Sequence, residues 1–379
     1  MAIFRKQPEQ DKPNGRAFLP RNPQETAGSP FGPERSAKLP GEDASGLMIL
    51  AEAQQRKPKI GVKEVQEAAS ILTKYKDGKS NLENRIVEDE QWYKLRHWEV
   101  IRRQRARNHP DEVRPEPTSA WLFNTLMNKH ADANDNYPEP NVLPRERGDE
   151  ADAKTLSSIL PVILERNGFE QTYSDNWWEK LKHGTAVYGA FWNPALENGL
   201  GDVDIRPIDL LNIFWEPGIT DIQKSRNLFI VDLMDTDLLE EMYPQFKGKL
   251  GGSVIDVKQY IYDDTVDITD KTLVVDRYYK VRSADGRTVL HYMKFCGDCL
   301  LYASENEEEY AFRGYYDHGE YPVVFDTLFP EKGTPVGFGY VAITKDPQLY
   351  IDKLSQSVLE NAMMCAKPRF FAASSTGIN

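Results

Sequence analysis

Three aspartates, Asp202, Asp204 and Asp209, form a group that could carry out acid–base chemistry. Asp202 and Asp204 share one face of a predicted strand, because side chains in a strand alternate with period two. Two carboxylates act as general acid and base when a cleft shifts their pKa values. The same pattern is typical of the solvated face of an edge strand, and we favour that interpretation. A hydrolase that uses the three aspartates is kept as an alternative.

Two cysteines separated by two residues, Cys296 and Cys299, could begin a metal or redox site. A tetrahedral zinc site needs four ligands, and the other candidates are the neighbouring His291 and the distant Cys365. A redox thiol needs a low pKa, usually at a helix N-terminus, and this segment is not at one. The intervening Gly-Asp pair suits the tip of a two-residue turn between strands. The sequence therefore favours a hairpin over a metal or redox site.

No other catalytic or ligand-binding signature occurs. The sequence contains no phosphate-binding loop, dinucleotide-binding glycine motif, nucleophile elbow or zinc-protease motif. The six histidines show no spacing typical of metal ligands, and His183 is interpreted as a structural residue. We therefore expect a protein that is not an enzyme, with no catalytic residues, no metal and no cofactor.

A basic run interrupts an otherwise acidic chain, which has 47 basic and 59 acidic residues and a formal net charge of −12. Six positive charges fall within 14 residues, namely Lys94, Arg96, Arg102, Arg103, Arg105 and Arg107. The four arginines from position 102 onward do not share one helical face, so a groove-reading helix is not expected, whereas phosphate contact needs only proximity. Two interpretations stay open: a contact for phosphate or an acidic partner, and a solvated helix end stabilised by the helix dipole.

The last predicted element is a helix from Asp346 to Ala366 with one apolar stripe. Asp346 and Pro347 suit its cap and its first position, and Pro368 ends it. The stripe has spacings of three and four and consists of Ile351, Leu354, Val358, Ala362 and Cys365. Its first four members are candidate residues for packing between subunits, since a ring of neighbouring helices would use such a stripe. An ordinary globular core would give the same pattern.

Helices dominate the first half of the predicted fold. Residues 1–58 hold 8 of the 24 prolines, which indicates a disordered Pro-rich arm. Two separate helices are predicted next, over Val62–Tyr75 and Asn81–Arg107, with a break at Asp77-Gly78-Lys79-Ser80. Further helices follow up to about Lys182.

Strands dominate the second half, so the predicted class is α+β. From Val203 onward the apolar residues alternate, which indicates an antiparallel meander with its strongest hairpin turn at Asp285-Gly286. We expect three parts: the arm of 1–58, an α+β region of 59–335, and a loop with a long helix in 336–379. No apolar run reaches the length of a membrane span, no signal peptide is visible, and three cysteines suit a reducing compartment.

The order and character of several segments resemble one family. These segments read LTKYKDGKSNLENRIVEDEQWYKLRHWE, NVLPRERGDEADAKTLSSIL, LKHGTAVYGAFWNP, DVDIRPIDLLNIFWEPG, LEEMYP, YYKVRSADG and YPVVFDTLFPEKGTPVGFGYVAITKDPQLYIDKLSQSVLENAMM. Over residues 62–379 the sequence resembles the portal proteins of tailed double-stranded DNA bacteriophages, of the type found in short-tailed phages.

The resemblance implies a structural subunit of a ring-shaped channel, usually of twelve copies, at one vertex of the capsid. A terminase motor would pump DNA through the ring, and the DNA would later leave through it. The implied partners are other copies of the chain, terminase, capsid or scaffold proteins, head–tail connector proteins and the passing double-stranded DNA, with no membrane. The implied location is the virion, after assembly in the host cytoplasm.

The resemblance also assigns parts to the chain. Residues 59–335 would form the wing, and the terminal helix would be the first stem helix. The clip, second stem helix, channel loop and crown would then be missing, so we expect an N-terminal portion of a longer protein. Besides the channel and the hydrolase, a monomeric adaptor that binds through the Pro-rich arm stays open, and the channel is the favoured function.

Overall fold

Long helices and antiparallel strands share the described part of the chain, which comprises residues 60–105, 114–251, 270–282 and 286–366 of a computed structural model. The helices in these ranges are α1 (Val62–Tyr93), α2 (His97–Arg105), α3 (Trp121–Asp135), α4 (Glu150–Arg166), α5 (Phe169–His183), α6 (Thr236–Met242), α7 (Tyr310–Arg313) and α8 (Tyr340–Ala366). The predicted α+β class with a long C-terminal helix is confirmed. None of the helices in this part is long and apolar enough to cross a membrane.

In the described ranges the strands form three antiparallel sheets. Their bounds are β1 (Thr185–Asn193), β2 (Asp202–Ile208), β3 (Ile213–Trp215), β4 (Asn227–Asp235), β5 (Lys271–Arg282), β6 (Thr288–Cys296), β7 (Cys299–Ala303), β8 (Val323–Thr327), β9 (Phe329–Pro330) and β10 (Gly337–Phe338). The large sheet has the order β3-β4-β5-β6-β7, which is the predicted meander without its first strand, because Val203 lies in β2 of a smaller sheet. β5 pairs with β6 up to Arg282 opposite Thr288. The smaller sheets are β2-β1-β8 and β9-β10.

The first helix is longer than the sequence predicts. α1 runs without interruption through Asp77-Gly78-Lys79-Ser80, so the predicted break there is wrong. Gly78 lies against Pro217, and a Cβ atom at position 78 would come within 2.7 Å of the proline Cγ. The glycine therefore permits a close packing contact and does not end the helix.

The neighbouring Lys79 explains why α1 stays helical at this point. Its side chain is 6% exposed, and its ammonium donates hydrogen bonds to the carbonyl oxygens of Leu210 at 2.5 Å, Leu211 at 3.2 Å and Ile213 at 2.6 Å. Burial lowers the pKa of this lysine to about 7. These bonds attach α1 to the segment that leads into β3. This tertiary contact outweighs the low helix propensity of the sequence around Gly78.

The helical chain breaks farther on, between α1 and α2. Leu95 has a φ of +58°, a left-handed conformation that ends α1 after Tyr93 and lets α2 begin at His97. The single helix predicted over Asn81–Arg107 is therefore wrong, because its first part belongs to α1 and its second part to a separate short helix.

Two of the buried clusters position the elements discussed below. α1 packs Val65 and Leu72 against Phe229 and Phe295 of the large sheet. Trp92, Leu122, Leu126, Leu181 and Val341 form a second cluster. This second cluster joins the end of α1 to α3, α5 and the first turn of α8, so α8 begins inside the body of the subunit.

Candidate subunit interface and charged sites

The C-terminal helix starts earlier than its sequence signals predict. Asp346 and Pro347 lie within α8, which begins at Tyr340. The extra residues are held by burial, because Val341 is fully buried and Tyr340 packs against the same cluster. The first turns of α8, up to Leu349, thus pack against the core, and the later turns extend beyond it.

Beyond the core, α8 is attached to the subunit by polar side chains. Gln348, Asp352 and Gln356 lie four residues apart on one face and are only 2%, 1% and 5% exposed. We call these three residues the polar clasp. They contact the extended segment 114–120, whose backbone passes beside the helix.

The hydrogen bonds of the polar clasp are specific. Asp352 Oδ1 accepts a bond from the Ser119 amide at 2.9 Å, and Gln356 Nε2 donates to the Pro115 carbonyl at 2.8 Å. Gln348 Oε1 accepts from the Leu122 amide at 3.2 Å. Buried polar groups require such partners, so the contact fixes both the position and the rotation of the helix.

A histidine completes the contact between α8 and the body. His97 Nε2 lies 3.0 Å from Asp352 Oδ2, and both side chains are at most 1% exposed. The imidazole is stacked on Trp92 at a centroid distance of 4.5 Å. Burial lowers the pKa of His97, and the nearby carboxylate of Asp352 opposes that change.

The opposite face of α8 is apolar and exposed. Ile351, Leu354 and Val358, which belong to the predicted stripe, are 40%, 69% and 62% exposed, and Ala362 is exposed as well. Other large apolar side chains that are exposed on the same helix are Ile343, Tyr350, Leu359, Met363 and Met364. The orientation is the reverse of that of a surface helix in a monomeric protein, which turns its apolar face inward.

The basic run is divided by the break between α1 and α2. Lys94 and Arg96 lie in the break, and Lys94 Nζ is 3.8 Å from a carboxylate oxygen of Glu90. Arg102, on α2, donates from Nε to Glu116 Oε1 at 2.9 Å and makes a second contact with the same carboxylate. Its side chain is still 63% exposed. The side chains of Arg103 and Arg105, and the whole of Arg107, lie outside the described part of the chain.

A buried charge cluster joins α1 to α5, and the sequence analysis did not identify it. Lys182 Nζ lies 2.7 Å from Glu179 Oε1 and also contacts Glu90. His183 Nε2 lies 3.3 Å from Glu90 Oε1 and 3.5 Å from Glu179 Oε2. The four-residue spacing of Glu179 and His183 on α5 was a signal for it, but Glu90 comes from a helix about 90 residues earlier in the sequence.

The charges of this cluster support one another. Burial disfavours the charged form of His183, but the carboxylates of Asp89 and Glu90 prevail and raise its pKa to about 9. Burial likewise opposes ionisation of Glu90, and contacts with His183 and Lys182 outweigh it, so the pKa of Glu90 falls to about 2. The contacts within the cluster therefore favour the protonated form of His183 and the ionised form of Glu90.

The three aspartates do not share one cleft. Asp202 faces Arg166, with 3.4 Å between Oδ2 and the guanidinium, while Asp209 accepts a hydrogen bond from the Leu211 amide at 2.8 Å. Asp209 lines a cleft with residues of the charge cluster, and neither Asp202 nor Asp204 lines that cleft. The geometry gives the trio no shared site for acid–base chemistry.

The two cysteines close a hairpin, as predicted. Cys296 ends β6 and is paired with Cys299 at the start of β7, and Gly297 in the turn has a φ of +53°. Burial raises the pKa of the Cys296 thiol to about 11, which is the opposite of the change that a reactive thiol needs. Cys365 is exposed on α8 and belongs to no metal-ligand group found in the described ranges.

Comparison with protein families identifies a family for this chain. A family model described as the phage P22-like portal protein matches residues 76–323, which is more than half of the chain. The match begins within α1 and ends at the first residue of β8, so it includes the large sheet and the charge cluster but not α8. No curated protein matches the sequence.

Proposed function

Because the chain belongs to the phage P22-like portal protein family, we propose that copies of it close into a ring through the apolar face of α8. The family gives the chain a structural function in phage DNA packaging, within a homo-oligomeric ring at a vertex of the virion capsid. Family membership accounts for the channel function without any catalytic site.

The observation that carries the proposal is the inverted orientation of α8. Polar residues of the clasp are buried, while Leu354 and Val358 are more than half exposed. Burying such side chains against a neighbour contributes about 1 to 2 kcal/mol each, given roughly 1.5–3 kcal/mol for complete burial. Each subunit in a closed ring has two neighbours and uses different surfaces to contact them, so one helix face can be covered at every interface.

The finer features of the assembly follow from the resemblance. The ring contains twelve copies and contacts terminase, capsid or scaffold proteins and head–tail connector proteins. It assembles in the host cytoplasm, and DNA later leaves through it. Of the predicted parts, 59–335 would be the wing and 336–379 a loop and the first stem helix, whereas the predicted arm of 1–58 lies outside the described residues. The start of α8 inside the core supports a direct mechanical connection between wing and stem.

The charge distribution supports passage of DNA without tight binding. A net charge of −12 repels phosphate over the surface as a whole. The basic run, Lys94 to Arg107, then provides a local contact for phosphate or for an acidic partner. Arg102 donates a hydrogen bond to Glu116, and the neighbouring Pro115 accepts one from Gln356 of α8. Arg102 therefore lies close to α8.

A mass measurement of the purified full chain tests the ring. Native mass spectrometry of the wild type at micromolar concentration should show a species of twelve times the 43.4 kDa subunit mass. The double variant Leu354→Asp with Val358→Asp should be monomeric, because each interface would then bury two carboxylates.

The matched control is Leu238→Asp, which changes an apolar side chain that is 49% exposed on α6. It should leave the ring intact. A monomeric wild type, or a double variant that still forms rings, would show that α8 does not form the interface.

A further inference from the structure

A cleft of about 450 Å³ lies where α1, α5 and the end of β2 meet. Glu90, Glu179 and His183 line it, and one ligand atom of each lies within 4.8 Å of the others. Two carboxylates and an imidazole form a donor set that suits borderline divalent cations such as Zn²⁺, whereas Mg²⁺ prefers oxygen ligands and retains water.

The distances match those within a metal coordination sphere. His183 Nε2 is 3.3 Å from Glu90 Oε1 and 3.5 Å from Glu179 Oε2. Two ligands that each bind Zn²⁺ at about 2.1 Å in a tetrahedral site are about 3.4 Å apart. An ion bound to His183 Nε2 would therefore be within reach of one carboxylate oxygen of Glu90 and one of Glu179, provided that the Lys182 ammonium moves away from them.

The other side of the imidazole is also arranged as in metal sites. His183 and Asp89 are each 2% exposed, and His183 Nδ1 lies 3.8 Å from Asp89 Oδ2. Neither His183 Nδ1 nor Asp89 Oδ1 has a hydrogen-bond partner in the described structure. A metal-bound histidine usually directs its second nitrogen to a carboxylate. Asp89 is the carboxylate on that side of the ring, at a distance longer than a hydrogen bond.

Lys182 occupies the position where a cation would sit. Its ammonium contacts both Glu90 and Glu179, at 2.7 Å from Glu179 Oε1. We propose that the cluster binds Zn²⁺ through Glu90, Glu179 and His183 Nε2, and that Lys182 is the internal cation that the metal displaces.

Displacement gives an unusual prediction, because removing one residue of the cluster should strengthen binding. In isothermal titration of the full chain with Zn²⁺, Lys182→Met should bind at least about tenfold more tightly than wild type. Glu179→Gln and His183→Gln each remove a direct ligand and should bind at least about tenfold more weakly, since loss of an outer-shell partner alone costs about 10- to 100-fold. An excess of Mg²⁺ should not compete.

A histidine elsewhere provides the matched control. His130 lies on α3, where its Nε2 is 3.0 Å from the Ser174 carbonyl, and His130→Gln should leave Zn²⁺ binding unchanged. Metal-free thermal unfolding of each variant reports whether it is folded, and the folded Lys182→Met variant keeps the test decisive if His183→Gln unfolds.

Two results would overturn the inference. One is absence of Zn²⁺ binding by both the wild type and Lys182→Met. The other is equal Zn²⁺ binding by wild type and a folded Glu179→Gln or His183→Gln variant. The ring is measured separately by mass, so failure of the metal site would leave the proposed channel function untouched.

Discussion

Replacing Asp352 with asparagine tests whether the polar clasp holds α8 to the body of the subunit. The carboxylate accepts from the Ser119 amide and from Gln348 Nε2, each at 2.9 Å, and its Oδ2 lies 3.0 Å from His97 Nε2. Asparagine has one acceptor oxygen, so its amide group would face the nitrogens of Gln348 and His97. Leaving buried donors without acceptors costs about 1–3 kcal/mol.

Hydrogen exchange followed by mass spectrometry measures this cost locally. Opening of α8 away from residues 114–120 should become about 5- to 150-fold more frequent in Asp352→Asn, since each 1.4 kcal/mol is a factor of ten. The amides of the large sheet, from β4 to β6, should keep their protection. The control is Ser355→Ala, because the Ser355 hydroxyl donates only to the Ile351 carbonyl within the same helix.

The pH dependence gives the same test an independent readout. Burial lowers the pKa of His97, so the folded protein holds this residue neutral against an unfolded value of about 6.5. The stabilisation that neutral His97 gives to the contact between α8 and the body is therefore fully present above about pH 6.5, and it is lost as the pH falls below that value. Asp352→Asn removes the carboxylate that raises the pKa of His97, so the loss at low pH should be larger in this variant.

Two results would refute this reasoning. Equal exchange rates in wild type and Asp352→Asn would show that the polar clasp does not hold the helix. An acid-induced loss of protection that is the same in both proteins would show that His97 and Asp352 are not coupled.

Two further predictions concern other residues. Changing Arg102, Arg103, Arg105 and Arg107 to glutamine should weaken the salt dependence of DNA binding. The slope of log binding constant against log salt concentration, measured by fluorescence anisotropy, should become less steep by up to about 3.6. An unchanged slope would exclude a phosphate contact. Cys296→Ser should lower the free energy of unfolding, measured in urea, by about 1–2 kcal/mol because it places a hydroxyl in an apolar cluster. Cys299→Ser, on the more exposed side of the hairpin, should have little effect. Equal stabilities of the two variants would contradict this prediction.

Local signals were sufficient for much of the fold. The meander of β4 to β7 was predicted from alternation and from turn residues, which act over a few positions. The strand at Val203 was also predicted, but it pairs with β1 in another sheet. The Gly-Asp turn between Cys296 and Cys299 was predicted in the same way. The helical spacing around Ile351, Leu354 and Val358 also gave the terminal helix, although its start at Tyr340 depends on burial of residues that carry no start signal.

Local signals failed where a distant contact opposed them. Asp77-Gly78-Lys79-Ser80 has the composition of a turn, yet the hydrogen bonds of Lys79 to a segment more than 130 residues later keep it helical. The charge cluster was missed for a similar reason. His183 has its partner Glu179 four residues away, but Asp89 and Glu90 reach it only because α1 packs beside α5.

The sequence alone determined that α8 is a helix with an apolar stripe, because periodicity depends only on backbone geometry and residue order. It could not determine which face of that helix is covered. That was decided by the tertiary structure, in which Asp352 contacts Ser119, 233 residues away in sequence, and so turns the polar side inward. Buried donors and acceptors require specific partners, and these partners lie on the segment 114–120. Apolar surface can be covered by any neighbour, so the subunit can leave Leu354 and Val358 exposed.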